Sequence, residues 1–169
     1  LKNGASLSAS TGIPQDLPNN LYDKALIMGP YHDLDPNLSL STQQIKYDVI
    51  GVAPYRKWII SYYDEPLYTT ACLNLNKNTH QIVLYETLGI VEVLIYNKEI
   101  CLNWNNGRSM IGMQDASRAS AIMAPGRRAS DVPWGSQGMN ESWRFVPASG
   151  KSLFKKVELY TLGGTFITN

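Results

Sequence analysis

The sequence predicts an all-β protein, a β-sandwich of jelly-roll-like type, mostly antiparallel, with few or no short helices. Three observations lead there. Short apolar stretches recur at intervals of roughly 10–20 residues, with Gly, Pro or Asn signals between them. No segment keeps a helical apolar stripe for more than about two turns. Ten tyrosines, frequent Asn, Ser and Gly, and the lack of long Ala/Leu/Glu/Lys runs weight the composition toward strands and turns.

Taken in order, residues 1–24 read as an irregular N-terminal segment, rich in Gly, Pro and Asn, with one short strand near Leu7. The stretch KALIMGPYHDLDPN reads as a short apolar strand, a Gly29-Pro30 break and an acidic loop. In QQIKYDVIGV, Ile45, Tyr47 and Val49 alternate as in a strand. RKWIISYYDEP puts Trp58, Ile60 and Tyr62 on one face and Ile59 and Tyr63 on the other, and Pro66 ends it. HQIVLYE and IVEVLIYN form the clearest hairpin, within residues 79–97. They are apolar on both faces, which places them inside a layered structure. NWNNGR is an Asn-Gly turn. SMIGMQ and RASAIMA follow as short strands, although one short helix also fits residues 113–122. PGRRASDVPWGSQGMN is a long loop, and ESWRFVP and FKKVELY are strands. The module proper is read as residues 25–147. Residues 148–169 are read as its final strand or as the start of a following immunoglobulin-like repeat.

At 169 residues the chain fits one domain with a sizeable core. Its net charge of +1 argues against a nucleic-acid or anionic-lipid partner. No run approaches the roughly 18 apolar residues of a membrane helix, so membrane insertion is not expected. No signal peptide is visible and the chain begins at Leu1, which reads as a mature fragment or an excerpt from a longer protein.

The two cysteines, Cys72 and Cys101, bracket the hairpin. An antiparallel hairpin brings its outer ends together, so the expected state is a disulfide and an oxidising compartment; the alternative is two buried free thiols. Glu86 and Glu92 flank the Thr87-Leu88-Gly89 turn. A two-residue loop would send their carboxylates to opposite faces. A three-residue loop with a glycine bulge would make them neighbours at about the 5–5.5 Å spacing of a retaining glycosidase. Both registers are open to the sequence, and structural glutamates are the expectation.

Other chemistry is sparse. His32 and His80 are the only histidines, with no Gly-x-Ser-x-Gly elbow, zinc spacing or phosphate loop to join. Asp33, Asp35 and Asn37 alternate as oxygen ligands for Ca²⁺ do, making it the one cofactor the sequence suggests. The EF-hand pattern fails at Leu38 and Gln44, and turn-capping by the two aspartates is the competing reading. Trp58 and Trp143 alternate within strands as core residues do. Trp104 and Trp134 lie in turns and loops and are the candidates for stacking on a sugar ring.

The run IMGPYHDLDP, QQIKYDVIGVAPYRKWIISYYDEPLY, THQIVLYETLGIVEVLIYNKEIC, NWNNGRSMIGMQDAS, APGRRAS and ESWRFVP resembles a module of large secreted Bacteroidetes proteins associated with gliding motility and type IX secretion. More distantly it resembles the nidogen-like extracellular domain. The resemblance implies a β-rich, cell-surface, non-catalytic adhesion module that neighbours other domains of the same chain, with a glycan or protein ligand of unknown identity. The chain departs from the nidogen-like pattern at Tyr31-His32-Asp33-Leu34-Asp35. A jelly-roll carbohydrate-binding module is the alternative function, and a glycoside hydrolase the third.

Overall fold

The computed structural model describes residues 12–22, 25–36, 42–68, 70–72, 77–148, 156–161 and 166–167. The strand expected near Leu7 and the ligand expected at Asn37 lie outside them.

The described residues build ten strands, β1 (Leu26–Tyr31), β2 (Gln44–Ile50), β3 (Lys57–Pro66), β4 (Lys77–Tyr85), β5 (Val91–Asn97), β6 (Met110–Gln114), β7 (Ala121–Met123), β8 (Glu141–Val146), β9 (Lys156–Thr161) and β10 (Phe166–Ile167). All pairings are antiparallel. They form a seven-stranded sheet, β10-β9-β8-β5-β4-β3-β2, and a three-stranded sheet, β1-β6-β7. The all-β sandwich is therefore the observed fold.

Alternation along β5 shows how the layers meet. Val91, Val93 and Ile95 point inward and are 6%, 0% and 1% exposed, while Glu92 and Leu94 face the other side. They pack with Ile82, Trp143 and Phe145 from the same sheet and with Ile111 and Met113 of β6. Each such side chain contributes roughly 1.5–3 kcal/mol by leaving water. A second cluster lies on the far side of the small sheet, where Leu17 and Tyr22 cover Leu26, Met28 and Met110. The Asn19 amide donates to Gln114 Oε1 at 2.9 Å, and the Gln15 amide to the Tyr22 hydroxyl at 2.7 Å. Residues 12–22 thus carry no strand and form an outer layer on the small sheet.

The short helix that fits residues 113–122 does not form. Met113 and Gln114 belong to β6, and the Asp115 carboxylate captures the amides of Ala119 and Ser120 and the Ser117 hydroxyl. An aspartate that satisfies local amides in this way favours a turn over a helix. Beyond β8, the backbone of β9 and then β10 continues the large sheet, with Trp143 opposite Leu159.

Gly29 of the small sheet lies against Val93 of the large one. A Cβ there would lie 2.7 and 2.9 Å from the two γ-methyls of Val93, which is fully buried. Gly29→Ala should cost roughly 1–3 kcal/mol in urea unfolding through overpacking. Val93→Ala in the same chain should restore part of that loss, a favourable coupling readable by a double-mutant cycle. Additive losses would show that the two sheets do not meet there.

Candidate functional site

The acidic loop, the end of β3 and the segment after β5 converge at one end of the sandwich. Backbone pairing holds the loop: the Tyr68 amide donates to the Asp33 carbonyl at 2.8 Å, the Asp35 amide to the Pro66 carbonyl at 2.9 Å, and Leu34 bridges Leu67. Gln43 Nε2 reaches both the Asp35 carbonyl, at 3.1 Å, and Glu65 Oε2, at 2.9 Å. Glu65 is fully buried, and burial raises its carboxyl pKa.

Cys72 and Cys101 are bonded at this end, with Cα atoms 6.0 Å apart. Just past Cys101 the chain makes a 3-10 turn at Asn105–Gly107, with Asn105 and Asn106 left-handed. This conformation suits Asn better than most residues. The turn aims Trp104 back at the acidic loop, and its indole N–H donates to Asp33 Oδ2 at 3.1 Å. Two residues picked out for different reasons, Asp33 for calcium and Trp104 for a sugar, are thus partners. Burial raises the Asp33 pKa despite that bond. Tyr68, 58% exposed, stands beside Trp104 with ring centroids 6.4 Å apart. Among the described residues, no group of three or more His, Cys, Asp or Glu side chains is arranged to hold a metal ion.

Behind this surface lies a buried basic cluster that the sequence reading passed over. His32, His80 and Lys98 are 8%, 3% and 2% exposed. His80 stacks on Tyr62, with ring centroids 4.4 Å apart. Nδ1 of His80 has no hydrogen-bond partner among the described residues. Burial pushes His32 well below its ordinary pKa, with Lys98 and His80 adding to the shift, and pushes His80 down to about 3. Lys98 is lowered to about 7 by burial and by Arg127. The only hint in the sequence is that His80 shares the inward face of β4 with Ile82. A small pocket of about 10 Å³ is lined by His32, Asp33, Lys98 and Trp104 among others, room for about one water-sized group.

Trp134 is not a sugar platform. It is 7% exposed, donates its indole N–H to the Ser109 carbonyl at 3.2 Å, and has Lys98 Nζ and the Arg127 guanidinium 4.8 and 4.7 Å from its ring centroid. The long loop folds inward because Gly135 rests on Lys98, where a Cβ would lie 2.0 Å from the carbonyl oxygen. Two cations facing a buried indole leave no room for a sugar.

The hairpin takes neither anticipated register. Tyr85 donates to the Ile90 carbonyl at 2.9 Å and Glu92 lies opposite Val83, so the loop is the four residues 86–89. Glu86 sits in that loop and grips Arg56, with Nε–Oε2 2.8 Å. This contact lowers the Glu86 pKa to about 2. Glu92 lies on the outer face of the sheet, accepting from the Tyr85 hydroxyl at 2.5 Å and Arg144 Nε at 2.6 Å. The two acids are held by different partners and form no shared site.

Two outcomes follow. Reducing the disulfide, which spans 29 positions, should lower stability by about 3–4 kcal/mol in denaturant titrations. No loss would contradict its structural role. His80 stays neutral in the fold, while the unfolded chain takes up a proton below about pH 6.5. Its contribution is therefore present above that pH and lost as the pH falls toward 3, at up to about 1.4 kcal/mol per pH unit. His80→Phe, which keeps a ring on Tyr62, should flatten the decline measured from pH 7 to 4. An unchanged slope would show that His80 does not titrate in this way.

A family model described as NIDO related matches residues 2–154, covering the acidic loop, strands β1 to β8 and the disulfide. No curated protein and no solved structure matches the chain. Over that span, which is most of the chain, this protein belongs to the NIDO-related family.

Proposed function

We propose that the chain is a non-catalytic extracellular module, an adhesive surface unit of a larger secreted protein in the Bacteroidetes gliding-motility and type IX secretion setting. The observation that carries this reading is how the candidate acids are used. Asp33 is bonded to Trp104, Glu86 to Arg56, and Glu92 to Arg144 and Tyr85. A retaining hydrolase needs one carboxyl raised in pKa by burial facing an ionised one across a cleft wide enough for a sugar. Here Glu86 is held low and Glu92 points out from the sheet. Membership in the NIDO-related family and the disulfide support an extracellular location, since disulfides persist in oxidising compartments. Its partners are then a glycan or protein on a surface, and neighbouring domains of the same chain.

A second reading, a carbohydrate-binding module, is favoured by one feature, the exposed Tyr68 ring beside the half-buried Trp104. A glycan array separates the two. Glycan binding lost on Trp104→Ala would favour the carbohydrate module.

The catalytic question has its own test. The Glu86→Gln/Glu92→Gln variant should melt at a lower temperature, because both ion pairs are weakened, and should match the wild type in showing no turnover of polysaccharides or chromogenic glycosides. Hydrolysis by the wild type that vanishes in the double variant, at an unchanged melting temperature, would overturn the non-catalytic reading.

A further inference from the structure

Among the described residues, the small sheet leaves β2 uncovered. β2 forms an edge of the seven-stranded sheet, and all seven of its residues are exposed. Ile45, Tyr47 and Val49 are 48%, 76% and 49% exposed, yet they extend the inward face of the sheet, opposite Tyr62, Ile60 and Trp58. The pairing of β2 with β3 is regular along its whole length, and β2 has no proline. Other edges are guarded or short. β1 carries Pro30, β7 has three residues and β10 has two. Open edges of this kind are normally blunted.

The hydrogen-bond phase of the sheet shows which groups point outward. The Tyr85 amide bonds toward β5 and the Glu86 amide bonds Arg56, next to β3. In an antiparallel ladder this direction alternates from residue to residue. Trp58, Ile60 and Tyr62 therefore bond β4, and Lys57, Ile59, Ser61 and Tyr63 bond β2. The backbone N–H and C=O groups of Ile45, Tyr47 and Val49 consequently project from the open edge. The Val49 amide fits this phase, because it is met by its neighbour's carboxylate, Asp48 Oδ1, at 2.7 Å.

We infer that β2 pairs with β2 of a second copy of this chain, antiparallel and centred on Tyr47, joining the two large sheets into one. The sequence of the edge is self-complementary in that register. Tyr47 meets Tyr47, Ile45 meets Val49, and Lys46 meets Asp48, each pair twice except the central one. The apolar pairs share one face and the charge pairs the other, and opposite charges directly across strands stabilise. Three outward residues from each copy supply up to six backbone hydrogen bonds, two of them formed as the Val49 amide of each copy exchanges Asp48 Oδ1 for the Ile45 carbonyl of the other. A shift by one residue would set Tyr47 across from Lys46 or Asp48 and place apolar side chains on the charged face, so the pattern selects a single register. This association does not depend on which ligand the module binds. A seven-residue edge is a small interface, so the dimer is weak and concentration-dependent.

Sedimentation of the intact chain from about 5 to 500 µM, the range suited to a small interface, tests this directly. The wild type should shift toward dimer across that range. Lys46→Glu, which opposes two acids, should weaken association about tenfold or more. Lys46→Asp combined with Asp48→Lys keeps the pairs in reversed order and should restore it to within about threefold. Tyr47→Pro removes an outward N–H that β3 does not use, so it should leave a folded monomer. If that variant fails to fold by circular dichroism, Val49→Lys, placed opposite Ile45 of the other copy, should likewise give a monomer. A wild type that stays monomeric throughout would overturn the inference and leave the edge to a foreign strand. Association unaffected by Tyr47→Pro, or a charge swap no better than Lys46→Glu, would also overturn it.

Discussion

A three-stranded sheet lies over a seven-stranded one, and the main features of this molecule follow from that inequality. The small sheet spends its inward face on β4, β5 and β8, where Ile82, Val93 and Phe145 are almost fully excluded from water. Contact is close enough that β1 needs a glycine over Val93. What the small sheet does not reach has to be finished otherwise. The ends are closed by loops, by Trp134 under two cations and by a disulfide, while β2 is left facing solvent on both sides.

The disulfide end carries a different tension. Three basic side chains, His32, His80 and Lys98, are buried together, and each is driven toward its neutral form. Burying polar rings in such a place is costly, and they persist only where surrounding structure holds them. Cys101, Trp104 and Asp33 supply that hold from outside. The acids that catalysis would have required are engaged in such holding contacts, and this is the physical content of the non-catalytic reading. Family membership agrees with a non-catalytic extracellular module, with the charged groups serving the frame.

Much of the frame was legible in the sequence. HQIVLYE and IVEVLIYN announce a hairpin through their two-sided apolar pattern, and a hairpin with cysteines beyond both ends makes a disulfide geometrically natural. Register was not legible, because Thr87-Leu88-Gly89 is compatible with several loop lengths, and the contacts that hold the four-residue one, Glu86 with Arg56 and Thr87 with the Pro54 carbonyl, come from a distant segment. Trp134 looked like a loop residue because burial of a long loop depends on partners far away in sequence, here Lys98 and Ser109. The meeting of Asp33 with Trp104 spans 71 positions and leaves no local trace. In QIKYDVI the alternation correctly marks a strand with one apolar face. Whether another layer covers that face is a matter of relative sheet width, which no local pattern encodes.

Residue-resolved amide exchange is the most direct test of this account, whose central claim is that the wide sheet is sealed at its centre and open at β2. In dilute solution, amides along β4 and β5 should be the slowest to exchange. In β2, the inward-bonding amides of Lys46, Asp48 and Ile50 should be slow, and those of Ile45 and Tyr47 fast. Uniform protection along β2 in dilute solution, or rapid exchange through Ile82 and Val93, would contradict it.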